Sequence, residues 1–385
     1  MKNLFSFKKE TFSAADRSYM TKALELAGQA LGISSPDPVV GAVVVKNGKI
    51  VGEGFHGAFA TPHAETWAIQ KARRNAAGAT IYVTLEPCCH FGNNPPCCTT
   101  IINAGLKRVV VAMSDPNPLV NGKGVAELRA AGTRVDVGLM EVEAKKQNEA
   151  FIKFITKKIP FVTLKSALSM DGKIAAYTRD SKWITSKESR VYAHYLRSIN
   201  DATMVGVGTV LQDNPDLTPR LAPNWLEKSG KVKVSRPKTR IVIDPLGKTP
   251  LSAKVCRTKK NPTIIVVSKK CPADRIRALE KKGCQIMVGS GQGEKVSFSK
   301  LMAELGKTGF ASILIEGGGN VAASALKDNV VDKVIYIYAP KIIGGKNAVT
   351  AVEGTGVKSP AEAWQLKDLS ILTLGEDWIV RGYAR

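Results

Sequence analysis

Three short stretches in the first part of the chain carry groups that could act together on one substrate. His63-Ala64-Glu65 sets an imidazole and a carboxylate two positions apart, and Glu86-Pro87-Cys88 and Pro96-Cys97 bring two thiols. One histidine and two thiolates give a zinc ion three soft or borderline ligands and leave a fourth position for water, the arrangement of a catalytic site rather than a structural one. Zinc held this way lowers the pKa of water towards neutrality. Glu65, two residues after the histidine, can take the proton from that water and pass it to a leaving amine. Two cysteine pairs, 88/97 and 89/98, share the same spacing. Cys88 and Cys97 directly follow prolines, so His63, Cys88 and Cys97 are the expected ligands and Glu65 the catalytic residue. His90 is expected to touch substrate, since a fourth protein ligand would close the site. The remaining cysteines, Cys256, Cys271 and Cys284, are scattered and read as small buried hydrophobes.

H-x-E followed by P-C and a second Cys has the mechanical content of the zinc deaminase signature, and it needs elements to hold it. From Ser13 to Leu31 the apolar positions Met20, Leu24, Ala27 and Leu31 recur at helical spacing, with Gly32 as the stop. Pro36 and Pro38 interrupt the chain before the β-branched run VVGAVVV, and Asn47-Gly48 predicts a hairpin turn into KIVGEGF. The pattern predicts helices over 64–74 and 97–104, strands over 79–84 and 108–112, then a helix reaching Ala131 and a strand around Val135. This alternation implies a layered α/β domain over residues 1–145, with 146–158 as a helical, charged stretch serving as linker. A second α/β domain over 159–385 opens with FVTLKSALS and KIAAY. Further strands are expected at ATMVGVG, 240–244, 263–268, 312–315 and 333–338.

A chain of 385 residues, 44% hydrophobic and 23% charged, can bury a core in each of two domains. No apolar run approaches the ~18 residues of a membrane span, and the basic N-terminus lacks the apolar stretch of a secretory signal. These features exclude a membrane protein, a disordered tail and a small disulfide scaffold, and a cytoplasmic enzyme is expected. The net charge of +23 invites a nucleic-acid partner. Residues 1–150, however, hold 17 basic and 13 acidic side chains, against 39 and 20 in the remainder. The surplus therefore lies away from the cysteine cluster, much of it between Lys231 and Lys282, where solvated loops and helix faces account for it.

The stretches SPDPVVGAVVV, GFH, HAE, GATIYVTLEPCCHFGNNPPC and DPNPLVNGKG resemble the bifunctional riboflavin-biosynthesis deaminase/reductase family. In most nucleic-acid deaminases the cysteines lie closer together than the nine-residue spacing here. VTLKSALSMDGKIA, SKWIT, GTVLQDNPDLTPR and EGGG extend the likeness through the second half. The resemblance implies an N-terminal cytidine-deaminase-like α/β/α domain and a C-terminal dihydrofolate-reductase-like α/β domain, with zinc and NADPH as cofactors. It implies hydrolysis of the 2-amino group of 2,5-diamino-6-ribosylamino-4(3H)-pyrimidinone 5′-phosphate, then reduction of the ribosyl chain to ribityl. Carried over by matching motif, Ser181, Arg197, Leu217, Arg220 and Glu316 would meet the substrate, and a 5′-phosphate favours guanidinium partners. Ala167, Trp183, Thr209 and Asp213 would line the NADPH site, with Gly318 and Gly319 approaching the diphosphate at a helix N-terminus. Lys165 and Asp171 match positions near the reducible carbon, with a structural ion pair as the alternative for either.

Four departures mark this chain. Asp37 stands at a substrate-contacting position where the family has Asn, and a carboxylate accepts only, so one substrate hydrogen bond must be remade. Asn93-Asn94 replaces a basic residue and Thr, Thr66-Trp67 is bulkier than the usual context, and Pro245 replaces a hydroxyl residue near NADPH. A homo-oligomer acting on a small phosphorylated pyrimidine is expected, with no nucleic-acid or membrane partner. The competing readings are a nucleic-acid-editing zinc deaminase with a basic accessory domain and a regulatory nucleotide-binding protein. The first would need a basic N-terminal half, and the second is opposed by the intact set His63, Glu65, Cys88 and Cys97.

Overall fold

The structure, a computed structural model, describes residues 12–58, 61–92, 94–221, 237–291 and 293–385. Asn93 and the basic stretch 231–236 thus lie outside the described residues. Two compact units divide these residues, one reaching Thr156 and the other starting at Lys157.

In the first unit, β1 (Gly41–Lys46) is apolar on both faces and sits inside a five-stranded sheet of order β2-β1-β3-β4-β5. Its partners are β2 (Lys49–Phe55), β3 (Thr80–Leu85), β4 (Arg108–Met113) and β5 (Arg134–Val137). β1 runs antiparallel to β2 and β3, while β3, β4 and β5 are parallel. The helices are α1 (Ala14–Gln29), α2 (Ala64–Ala72), α3 (Cys97–Asn103), α4 (Lys123–Ala130), α5 (Glu141–Gln147) and α6 (Glu149–Lys157). α2 lies directly on β2 because glycines leave room: a Cβ on Gly52 or Gly54 would overlap the carbonyl oxygens of Ala68 or Ala64. That close approach fixes the start of α2, where the candidate ligand His63 stands. Residues 146–158 carry the end of α5 and all of α6. Between the two helices Asn148 is buried, with its side chain accepting from the Val39 N–H at 2.9 Å and donating to the Val39 carbonyl at 3.0 Å. An amide does both at once with its oxygen and its nitrogen, and the bonds hold the proline-interrupted loop that carries Asp37.

The second unit has a nine-stranded sheet and a separate two-stranded pair. Its strands are β6 (Phe161–Ser169), β7 (Lys173–Ala175), β8 (Ala202–Gly206), β9 (Thr239–Ile243), β10 (Thr263–Val267), β11 (Gln285–Val288), β12 (Ser312–Glu316), β13 (Lys333–Ala339), β14 (Val349–Thr350), β15 (Leu366–Leu374) and β16 (Asp377–Ala384). The order is β11-β10-β9-β8-β12-β6-β13-β16-β15, parallel from β11 to β13 and antiparallel beyond. β8, β10 and β12 are buried at every position, as continuous apolar runs in a parallel sheet must be. Helices α7 (Lys187–Ile199), α8 (Val207–Asp213), α9 (Ala273–Lys281), α10 (Phe298–Lys307) and α11 (Gly319–Lys327) complete the unit. Arg240 on β9 is 2% exposed, and its guanidinium bonds the carbonyls of Arg257 at 2.9 Å and Asn261 at 2.7 Å and reaches Asp216 at 3.4 Å. Among the described residues, no helix is long and apolar enough to cross a membrane.

Candidate active site

His63 is the N-cap of α2, Cys88 follows β3, and Cys97 is the first residue of α3 behind Pro96. The ligand atoms of His63, Cys88 and Cys97 all lie within 4.8 Å of one another. His63 Nδ1 is 3.1 Å from Cys97 Sγ and 3.5 Å from Cys88 Sγ, and the Cys97 backbone N–H donates to Cys88 Sγ at 3.3 Å. The hydrogen bond from Cys97 pulls the Cys88 thiol down to about 4, against its burial, while the same contact pushes Cys97 up. His63 is raised to about 9, chiefly by its bond to Cys88. One imidazole and two thiols gathered this closely form a donor set that fits a zinc ion, which would displace their protons on binding. The second doublet is turned away, with Cys98 Sγ donating to the carbonyls of Pro87 and Gly124, each at 3.5 Å. Glu65, in the first turn of α2, is 4% exposed, and burial raises its pKa.

Around this cluster the structure adds residues that the motifs alone did not single out. His56, from GFH, stacks edge-on to His63 with centroids 5.2 Å apart, and its Nε2 lies 3.3 Å from the carboxylate of Asp37. His56 was visible only as part of a motif. Glu86 accepts from the backbone N–H groups of Asp115 at 3.1 Å, Gly122 at 2.9 Å and Val125 at 3.1 Å. It thereby ties the DPNPLVNGKG loop to the residue before Pro87-Cys88. Asp115 on that loop is buried, and burial raises its carboxyl to about 6. His90 is half-buried, and its Nδ1 is a buried atom with no hydrogen-bond partner among the described residues.

In the second unit a cleft of about 1770 Å³ opens at the carboxyl ends of β8, β9 and β12 and along β6. Lys165, Ala167, Ser181, Trp183, Arg197, Thr209, Asp213, Leu217, Arg220, Glu316, Gly318 and Gly319 all line it. At its floor Glu316 takes Lys165 Nζ at 3.1 Å and Arg197 Nε and Nη2 at 2.5 and 2.9 Å. Burial would raise the Glu316 carboxyl, yet Arg197 and Lys165 hold it at about 2. Lys165 is therefore part of an ion triad, and one fork of Arg197 is already engaged. Ser181 Oγ donates to Asp213 at 3.1 Å, and the exposed Trp183 ring lies 4.5 Å under the Arg190 guanidinium. Asp171 does not line the cleft. Its carboxylate accepts from Ser169 Oγ at 2.6 Å and from the backbone N–H groups of Ile343 and Gly344 at 3.0 and 2.8 Å, so it braces the 343–344 turn.

Residues 13–113 match the cytidine and deoxycytidylate deaminase zinc-binding region, and residues 160–380 match the RibD C-terminal domain. The riboflavin biosynthesis protein RibD of Aquifex aeolicus is 43% identical over 95% of this chain and 97% of its own length. That of Actinobacillus pleuropneumoniae is 39% identical over 97% and 95%. This chain belongs to the RibD family. A solved Thermotoga maritima structure, described as a diaminohydroxyphosphoribosylaminopyrimidine deaminase/5-amino-6-(5-phosphoribosylamino)uracil reductase, is 35% identical. It covers 96% of this chain and 99% of its own, with a TM-score of 0.83. As a RibD-family member, the chain is a bifunctional enzyme of riboflavin biosynthesis, a hydrolase and an oxidoreductase, with a cytidine-deaminase-like and a dihydrofolate-reductase-like domain.

Zinc and NADPH are its cofactors, and the residues fit both. His63, Cys88 and Cys97 would hold the metal. Gly317 and Gly318, with φ of 103° and 84°, form the turn before α11, where Thr209 Oγ1 would lie 3.6 and 3.5 Å from a Cβ. The bare backbone there leaves space beside Thr209 for a cofactor diphosphate at the helix N-terminus. Cys97→Ser is expected to lose zinc and ammonia formation together, while Cys98→Ser keeps both. Metal analysis of the two purified variants with an ammonia assay checks this, and the reverse pattern would give the ligand role to the second doublet.

Proposed function

We propose that residues 1–145 hydrolyse the 2-amino group of 2,5-diamino-6-ribosylamino-4(3H)-pyrimidinone 5′-phosphate. Residues 159–385, joined to them through 146–158, would then reduce the ribosyl chain to give 5-amino-6-ribitylamino-uracil 5′-phosphate. The three donor atoms gathered within 4.8 Å beside a buried Glu65 support this reading best. When bound, zinc supplies Lewis-acid activation of water at neutral pH. Glu65 takes a proton from the attacking water and delivers it to the departing amino group, for which a carboxyl with a raised pKa is suited. Asp37, 3.3 Å from His56, and His90 would orient the pyrimidine.

In the cleft, NADPH supplies a hydride. Ala167, Trp183, Thr209, Asp213, Gly318 and Gly319 would hold the cofactor, and Ser181, Leu217 and Glu316 would shape the substrate side. Arg220 and the unengaged nitrogen of Arg197 would meet the 5′-phosphate, and Lys165 would offer Nζ–H donors near the reducible carbon. Asp171 acts from outside by holding the 343–344 turn.

A small phosphorylated pyrimidine rather than a nucleic acid agrees with the near balance of charge in the first 150 residues, 17 basic against 13 acidic. A homo-oligomer is supported by β15, a sheet edge on which Leu369 and Ile371 are 62% and 69% exposed. Seven unpaired cysteines agree with a cytoplasmic setting. Incubating the chain with the diaminopyrimidinone phosphate tests the reading. Ammonia should appear without NADPH, and a product two hydrogens heavier only with it. A zinc-loaded chain that releases no ammonia from this substrate would refute the assignment.

A further inference from the structure

His194 stands on α7 one turn before Arg197 and lines the same cleft. Its Nδ1 accepts the backbone N–H of Arg220 at 3.2 Å, so the neutral ring carries its proton on Nε2. Arg220 itself is exposed, on the irregular stretch after α8. Three residues earlier, Leu217 is 3% exposed at a φ of 61°, which anchors one end of that stretch in the core. Arg240 braces the neighbouring Asp216 from below at 3.4 Å.

We propose that His194 is a positioning residue for the reduction: its neutral imidazole fixes the Arg220 backbone so that the guanidinium is ordered before the 5′-phosphate arrives. A guanidinium on an irregular loop recognises phosphate in a forked geometry only if its backbone is already placed, because ordering it on binding lowers affinity. Leu217 supplies one anchor by burial and His194 supplies the other by a hydrogen bond. The groups facing the imidazole are Arg197 on its own helix, Arg220 and the Thr218 carbonyl on the loop, and Glu316 at the end of β12. Burial first, and then Arg197 and Arg220, lower its pKa to about 4. The Nδ1 lone pair therefore stays available at neutral pH.

The inference rests on the reading of Arg220 as a phosphate contact, and the experiment separates the two. The full chain is assayed by NADPH oxidation on the already deaminated ribosylamino-pyrimidine phosphate, so the zinc site takes no part. His194→Ala is expected to raise KM about tenfold, the usual worth of one hydrogen bond, with kcat changed less than about twofold. His194→Asn should restore most of the affinity, because its Oδ1 occupies the place of Nδ1. Combined with Arg220→Ala, which raises KM by itself, His194→Ala should add little. Additive effects, a matching fall in kcat, or no rescue by Asn would each overturn the proposal. If Arg220→Ala raises KM and His194→Ala does not, the positioning role falls alone. If Arg220→Ala leaves KM unchanged, the phosphate reading falls with it.

Discussion

Glu65→Gln should keep its zinc and lose about 10²-fold or more in deamination, the order expected for a group that both accepts and donates the reaction's protons. The substitution preserves shape and burial in the first turn of α2, where Glu65 is 4% exposed. Nothing in the His63, Cys88 and Cys97 set changes, so metal content should match the parent chain. Only the exchangeable carboxyl proton is removed. Ammonia release, zinc content and NADPH oxidation on the already deaminated substrate, measured together, isolate that loss, since the last two should stay normal. A variant that turns over at near the parental rate would remove Glu65 from proton transfer.

Glu316→Ala should cost the second unit about 3–5 kcal/mol, because it strands two cations that a single buried carboxylate now neutralises. Glu316 is 9% exposed, with Lys165 at 3.1 Å and Arg197 at 2.5 and 2.9 Å. In calorimetry of the full chain, a loss of that size should lower a reductase-unit transition by about 10 °C. Deamination should be untouched. The sign with pH follows from the carboxyl, held at about 2 in the folded chain and near ~4.3 when unfolded. Its contribution is complete above the unfolded value and is lost as pH falls towards the folded one. A variant melting like the parent would show that the triad does not stabilise the unit.

The cluster of His63, Cys88 and Cys97 was legible because local rules place each of them: a histidine before a helix, a thiol after a strand, and a thiol behind a proline that opens the next helix. The choice of Cys97 over Cys98 follows the same logic, and Cys98 indeed faces the carbonyls of Pro87 and Gly124. Asp115, His56 and His194 were not single residues of interest, because their roles come from tertiary neighbours far along the chain. The one local signal for His194 was its three-residue offset from Arg197 on one helix face. Asp171 was placed near the reducible carbon by resemblance, whereas its acceptor geometry serves the turn at 343–344. β15 and β16 escaped the pattern reading for a different reason. Leu369, Ile371 and Leu372 are exposed, so β15 is defined by its ladder to β16 and not by a buried alternating face.

The three amide bonds received by Glu86 bear on how the loop after β4 could be reshaped. Residues 114–122 contain no helix or strand, and in a redesign they would look like free length. Their ends are nevertheless fastened at Asp115 and Gly122, with Val125 beyond, to a carboxylate two residues from Cys88. Insertions at either fastening would pull on Cys88. Variation belongs at the crest between them, where Leu119 is 62% exposed, because exposed loop tips absorb changes that anchored backbone cannot. The loop is thus a handle with fixed mounts, and new length can be grafted at its middle without moving Cys88.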